Sequence, residues 1–341
     1  MKRNNAIECL RVLIMFYIVI HHCIVSGLDL NKTFNMGEYC FSDTNIVLSL
    51  MNSFVIVSVN IFFLISGYFG IRLSIKKVIN LIINIIFYCL GIYLILVIIG
   101  KETLSIISVF KYSIYSIIQY WFMTAYIILM FIAPYINEYL LLIKNNTKKY
   151  NYFLIVLFGI LCVYGFIIKG EIVSVRNGYS VIYALYLYII GNYIKTNFFV
   201  DKFNKSQYIC TYIFMAILNF GLVGILLLIN KSILAWKMFS YNNPIILIES
   251  IALFMFFIKL ECKSSLLQYI GSFGKNTLAV YLIHSMPLLI IYRFYVLKEY
   301  LLVEPIYFYP IGIMLYCFIL YIVCLFIDRL KNKIFNMILI N

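Results

Sequence analysis

The sequence predicts an all-α fold: a polytopic integral membrane bundle of about ten transmembrane helices with both termini cytoplasmic. Three observations carry this. The chain of 341 residues is 65% hydrophobic and only 12% charged, with a mean hydropathy of +1.00. A soluble domain of that length carries about twice the charged fraction. Apolar stretches of about 20 residues, the length that crosses a bilayer core, recur at 6–27, 46–69, 78–99, 119–142, 151–168, 179–195, 207–230, 243–260, 274–293 and 306–327. Finally, with the N-terminus placed inside, most Lys and Arg fall in inner connections, among them Lys2, Arg3, Arg72, Lys76, Lys77, Lys144, Lys148 and Lys149. That is the positive-inside bias, and it calls for an even number of spans.

Each element follows in order. The start, Met-Lys-Arg-Asn-Asn before an apolar run, has the look of a signal sequence. The run is long, however, carries Glu8, Arg11, His21 and His22, and shows no small-residue cleavage site, so it reads as a retained first helix. The first outer loop, 28–45, holds Asp29, Glu38 and Asp43 against Lys32 and is placed to meet an external partner. Segment 103–118 is short and amphipathic and suits the interface better than a span. Pro134 is expected to kink the fourth span. No linker, composition shift or repeat divides the chain, so residues 1–341 read as one transmembrane bundle with no separate soluble domain.

The net charge of +14 would suggest nucleic acid in a soluble protein. Here loop topology accounts for it, and no nucleic-acid partner is expected. The nine cysteines are scattered, with no CxxC or Cys/His ligand spacing. They read as small buried hydrophobes, and no metal site is predicted. Cys40 alone falls in a polar loop.

Charge inside a membrane helix is costly, roughly +2.5 to +3.5 kcal/mol for a central Arg or Asp, and marks a functional site by default. In the first span, Arg11 and His22 return to one helix face and stand about 16 Å apart along the axis. Glu8 lies one turn below Arg11 on the same side. A guanidinium near the inner surface suits a phosphate or a Glu8 ion pair. A neutral imidazole deeper in suits proton abstraction from a hydroxyl. The blander alternative is an interfacial Glu8–Arg11 pair and a histidine satisfied in a polar contact. His21 points about 100° away and reads as supporting.

Asn60 to Gly70 closes the second span. Ser66 and Gly67 there permit close helix approach or a break. Arg72, Lys76 and Lys77 follow, either as a topology signal or as a cationic rim for a polyphosphate ligand. Trp121 opens the fourth span within Tyr120-Trp-Phe-Met-Thr-Ala-Tyr, as an interfacial belt or a platform for a sugar ring. Glu249 is a second intramembrane acid that needs a partner or a proton. His284 sits about ten residues into the ninth span, as a polar anchor or a second site histidine.

Together these pieces resemble the membrane-bound acyltransferase 3 family of bacterial O-acyltransferases. Glu8-Cys-Leu-Arg11, ten residues, then His22 resembles its first-helix signature. Asn60-Ile-Phe-Phe-Leu-Ile-Ser-Gly-Tyr, Tyr120-Trp-Phe-Met-Thr-Ala with Ala133-Pro-Tyr, Tyr186-Leu-Tyr-Ile-Ile-Gly-Asn-Tyr-Ile and Gly274-Lys-Asn-Thr-Leu-Ala-Val-Tyr-Leu-Ile-His resemble its second, fourth and later helices, in order along essentially the whole chain.

The resemblance implies a multi-pass protein of the bacterial inner (cytoplasmic) membrane. It implies transfer of an acyl group, acetyl first among them, from cytoplasmic acyl-CoA to a sugar hydroxyl of a surface glycan or lipid-linked oligosaccharide, in contact with membrane lipid. The donor acetyl-CoA is then a substrate, and no cofactor is held permanently. The resemblance makes His22, Arg11 and Glu8 the catalytic candidates, with His22 as general base or proton shuttle and Arg11 orienting the donor. Arg72, Lys76 and Lys77 become donor-binding candidates, and Asn60, Trp121, Glu249 and His284 substrate-binding candidates. The family often carries Arg-x-x-Arg after the second helix. Here Arg72-Leu-Ser-Ile-Lys76-Lys77 departs from it. Many members also carry an extracytoplasmic hydrolase-like domain, which is not expected in this chain. Direct transfer and an acyl-enzyme both remain open at this point, as does the oligomeric state. The alternative from another class is a glycolipid flippase or small-molecule transporter. The paired hydrophobic halves common in transporters are not found.

Overall fold

The computed structural model describes residues 4–36, 41–167, 176–196, 203–261, 264–286, 288–289, 297, 299 and 305–340, the last seven by their backbone alone. The expectations for Lys2, Arg3, Glu38 and Cys40 lie outside these residues. All regular structure among them is helical. In chain order the helices are α1 Asn5–His22, α2 Leu30–Asn35, α3 Asp43–Val55, α4 Ser58–Phe69, α5 Ile75–Ile98, α6 Ile106–Tyr112, α7 Ser116–Gln119, α8 Trp121–Ile143, α9 Thr147–Phe158 and α10 Gly165–Ile167. There follow α11 Val181–Thr196, α12 Lys205–Leu228, α13 Ser232–Lys237, α14 Pro244–Ile258, α15 Ser265–Ser272, α16 Thr277–His284 and α17 Tyr309–Ile340.

Each expected span contains a helix. Among the described residues seven helices are long and apolar enough to cross a membrane: Asn5–Gly27, Asp43–Phe69, Ile75–Ile98, Trp121–Ile143, Thr147–Ile167, Lys205–Leu228 and Ile306–Lys333. The segments Val181–Thr196, Pro244–Ile258 and Thr277–His284 are shorter, and residues 290–293 of the ninth lie outside the described set. The protein is an all-α multi-pass membrane protein. Segment 103–118 folds as the two short helices α6 and α7, with Ile106 and Ile107 largely exposed. Helix α8 runs on through Pro134 as one helix.

The helix starts are set by local chemistry. Asn4 Oδ1 accepts from the amide of Ala6 at 3.0 Å and caps α1. Asn204 and Gln207 form a reciprocal capping box on α12. Asn243 caps α14, with Pro244 in its first turn. Among the described residues six cysteines are buried (Cys9, Cys23, Cys89, Cys162, Cys317 and Cys324), while Cys210 is exposed.

Close approach of α4 and α11 fixes the middle of the bundle. A Cβ on Gly67 would stand 1.9 Å from the Tyr188 carbonyl oxygen, and one on Gly191 2.2 Å from that of Leu64. Small residues let two membrane helices meet backbone to backbone, where dispersion replaces the missing hydrophobic drive. Just below, Gly70 at φ +76° ends α4. The Ile71 amide donates to Tyr188 Oη at 2.9 Å, and Asn137 donates to the Ile71 carbonyl at 3.0 Å. These bonds fix where the chain leaves the bundle before Arg72.

Helix α1 is the central strut. It packs against α4, α15, α16 and α17, and also touches α3 and α14. Two local irregularities sit beside its outer half. The chain passes from α1 into a π-helical turn, Cys23–Gly27, directly after His22. The second span breaks at Ile56–Val57, between α3 and α4. Single π turns are rare and cluster at functional sites.

Candidate active site

At the inner end of α1, Arg11 Nη1 donates to Glu8 Oε1 at 2.9 Å. The pair spans three residues, as neighbours on one helix face must. The arginine side chain is 30% exposed and the glutamate 9%. Two glycines make room for the acid. A Cβ on Gly274 would lie 2.4 Å from Glu8 Oε2, and one on Gly271 3.3 Å from Glu8 Cβ. The guanidinium carbon stands 5.8 Å from the centre of the Phe69 ring. Arg11 lines a cavity of 290 Å³ with Ser66, Tyr126, Thr277 and Tyr281.

The turn carrying Gly274 is itself tied down. Asp328, on α17, accepts from Tyr88 Oη at 2.5 Å and from Asn276 Nδ2. Lys331 lies 3.4 Å from the same carboxylate and donates to Asn84 at 2.9 Å. Asp328 is a site-supporting residue that sequence reasoning missed. The signal for it was an acid one position before Arg329 at the inner end of an otherwise apolar span.

At the outer end the sequence brings three histidines together. His22 Nδ1 is 3.0 Å from His284 Nε2, and their ring centres are 5.1 Å apart. His284 is fully buried, and its Nδ1 lies 2.6 Å from the Val280 carbonyl. A carbonyl can only accept, so His284 Nδ1 carries the proton and Nε2 accepts. His22 Nδ1–H then donates to it. With both rings neutral, this assignment from the partners makes Nε2 the basic nitrogen of His22. His21 Nδ1 is 2.7 Å from Asn52 Oδ1, deep in the core, which fits a supporting part.

A second, much tighter cavity of 20 Å³ is lined by His21, His22, Ser58, Trp121 and Tyr241. Trp121 stacks on Tyr241 at 6.0 Å and lies 4.7 Å from Tyr179, ring centre to ring centre. The two cavities share Ile18, Phe122 and Tyr281 as a common wall. Phe122 is held there by rings of Phe63 at 5.0 Å and Tyr281 at 5.7 Å. Tyr241, Tyr179 and this wall were not singled out in the sequence.

The remaining candidates fall elsewhere. Asn60 is buried and donates to the Tyr241 carbonyl at 3.0 Å. Tyr183 Oη donates to the same oxygen at 2.6 Å. Asn60 therefore touches the chamber through the backbone of Tyr241. Arg72, Lys76 and Lys77 are exposed at the α4–α5 turn and do not line the Arg11 cavity. Glu249 is fully buried on α14, and neither of its oxygens has a hydrogen-bond partner among the described residues. It lies near the Tyr17 and Tyr212 hydroxyls, not beside Arg11.

In chemical terms, one stripe of α1 joins a cation in an open inner cavity to an oriented imidazole in a tight aromatic one. A family-wide comparison matches residues 4–336 to the acyltransferase domain family. Curated proteins and solved structures give no match. The matched region covers nearly the whole chain, both ends of the polar stripe included, so the chain belongs to the acyltransferase 3 family and is a multi-pass membrane acyltransferase.

Proposed function

We propose that the protein moves an acyl group, acetyl first among candidates, from cytoplasmic acyl-CoA to a hydroxyl on a sugar of a surface glycan or lipid-linked oligosaccharide, in the bacterial cytoplasmic membrane with both termini inside. The observation that carries this reading is the shared wall between the Arg11 and His22 cavities. A charged donor and a glycan acceptor approach from opposite faces. The thioester and the hydroxyl must then meet near one base inside the bundle.

In this reading Arg72, Lys76 and Lys77 attract the donor's phosphates from the inner surface. Arg11, its planar guanidinium held in place by Glu8, orients the donor in its cavity. The acyl end reaches past Ile18, Phe122 and Tyr281 to His22. His22 Nε2 takes the proton of the sugar hydroxyl, which is a poor nucleophile at neutral pH. The oxygen attacks the thioester carbonyl, the C–S bond breaks, and the proton ends on the coenzyme thiol. His284 holds the ring and stabilises the imidazolium through the Nδ1–H bond. Trp121, with Tyr241 and Tyr179, offers aromatic faces for a sugar ring. The geometry of His22 favours direct transfer, with the histidine as base.

The deciding experiment compares surface glycans by mass spectrometry in a deletion strain carrying either wild type or His22→Ala, with insertion matched. The expected result is loss of the acetyl mass increment in the deletion and no rescue by His22→Ala. An unchanged glycan in the deletion turns the reading toward transport. Rescue by His22→Ala retains the enzyme and discards this base.

A further inference from the structure

A cavity of 680 Å³, larger than either chamber of the site, lies along another flank of α1. Val12 and Phe16 of α1, Phe273 after α15, and Phe318, Ile322 and Phe326 of α17 form its walls. At about 100° per residue, Val12 stands about 80–100° and Phe16 about 120–140° round the helix from Arg11 and His22, so the groove lies on a different flank of α1 from the polar stripe. From Phe318 to Arg329 the groove runs about 16 Å along α17, at 1.5 Å per residue. That is close to half of the roughly 30 Å hydrocarbon core, the depth of one leaflet.

Its inner end is positive. Arg329 is the charged residue of the lining, and its guanidinium carbon stands 5.1 Å from the centre of the Phe273 ring. Among the described residues no carboxylate pairs with Arg329. The adjacent Asp328 is turned inward to Tyr88, Asn276 and Lys331. Lys275 and Lys333 are exposed near this end in sequence, and Glu8 is occupied by Arg11. An apolar channel one leaflet deep, with Arg329 at its inner end, fits one chemistry.

We propose that this groove is a binding site for a single phospholipid with an anionic headgroup. One acyl chain lies along Phe16, Phe318 and Ile322, and the headgroup rests on Arg329. A chain held there braces a flank of the helix that presents Arg11 and His22. The inference rests on the membrane fold and stands or falls apart from the acyl-transfer chemistry.

Native mass spectrometry of the purified full-length protein tests it, with phosphatidylglycerol and phosphatidylethanolamine of identical chains titrated separately. One basic residue near a membrane surface gives about a fivefold preference for an anionic lipid. The wild type is therefore expected to retain one phosphatidylglycerol at about fivefold lower lipid concentration than phosphatidylethanolamine. Arg329→Gln should bring the two lipids level. Ile322→Trp, which fills the groove, should weaken both, whereas Ile319→Trp on the exposed face of α17 should change neither. If Ile322→Trp fails to fold, the Arg329→Gln arm decides alone. Equal retention of both lipids by the wild type overturns the proposal, as does unchanged phosphatidylglycerol retention in Arg329→Gln.

Discussion

The two polar ends of α1 are built on different principles. The inner end is local: Glu8 and Arg11 meet because they are three residues apart on one helix. It opens on a cavity of 290 Å³. The outer end is made at long range, by residues as distant in sequence as His22 and His284. Its cavity is only 20 Å³, and rings wall it. An open cationic pocket suits holding a large, charged molecule. A tight pocket with a hydrogen-bonded imidazole suits moving one proton. On the proposed reading, the contrast divides binding and chemistry between the ends of one helix.

The sharpest way to break this division is at the base. His22→Ala, inserted at wild-type level, is expected to cut acyl transfer by about 10²–10⁴-fold, the usual worth of a general base. Residual activity above a tenth of wild type, measured on the surface glycan, would remove His22 from the chemistry. Next comes the clearance that lets Glu8 sit beneath Arg11. Gly274→Ala places a methyl where Glu8 Oε2 now lies, 2.4 Å away. Overpacking of this kind typically costs about 1–3 kcal/mol. A lowered melting midpoint in detergent, together with weakened donor binding, is the expected pair of effects. An unchanged midpoint would mean that the carboxylate moves aside freely.

His284 discriminates positioning from chemistry. Loss of one orienting hydrogen bond worth about 1–1.5 kcal/mol gives roughly a tenfold slower reaction. His284→Gln keeps an acceptor and should lose less than that in kcat with little change in the donor KM. His284→Leu should lose more and should alter the pH profile of kcat, because the ring-fixing bond to His22 is gone. Equal losses in both variants, with unchanged pH profiles, would make His284 a packing residue.

The smallest effect is expected at the rim. Arg72, Lys76 and Lys77 are exposed, so solvent and salt screen them. Replacing all three with Gln should raise the donor KM a few-fold at low ionic strength and leave it nearly unchanged at high salt. A kcat effect that persists in salt would place the rim closer to the reacting atoms than its geometry suggests.

Much of this was legible in the chain itself. Hydropathy located each membrane helix, because crossing a bilayer demands a long apolar run wherever it occurs. The Glu8–Arg11 pair was readable because helical periodicity puts such neighbours together. Gly67 was readable as a point of close approach because only a missing side chain permits one. Asn60 and Glu249 stood out as polar groups in apolar runs. Their positions, one bonded to the backbone of Tyr241 and the other facing Tyr17 and Tyr212, depend on neighbouring helices and were not readable.

What the sequence by itself determined was therefore everything with a short period: the fold class, the stripe on α1 and the inner ion pair. Tertiary structure alone decided which histidine meets which, and hence which nitrogen of His22 donates to His284. It also decided that Ile18, Phe122 and Tyr281 stand between two chambers, and that Asp328 anchors the turn beneath Glu8. The physical reason is distance along the chain. Periodicity fixes what lies within a turn or two of helix. Contacts between α1, α8, α16 and α17 are fixed only by packing, which no single stretch of sequence contains.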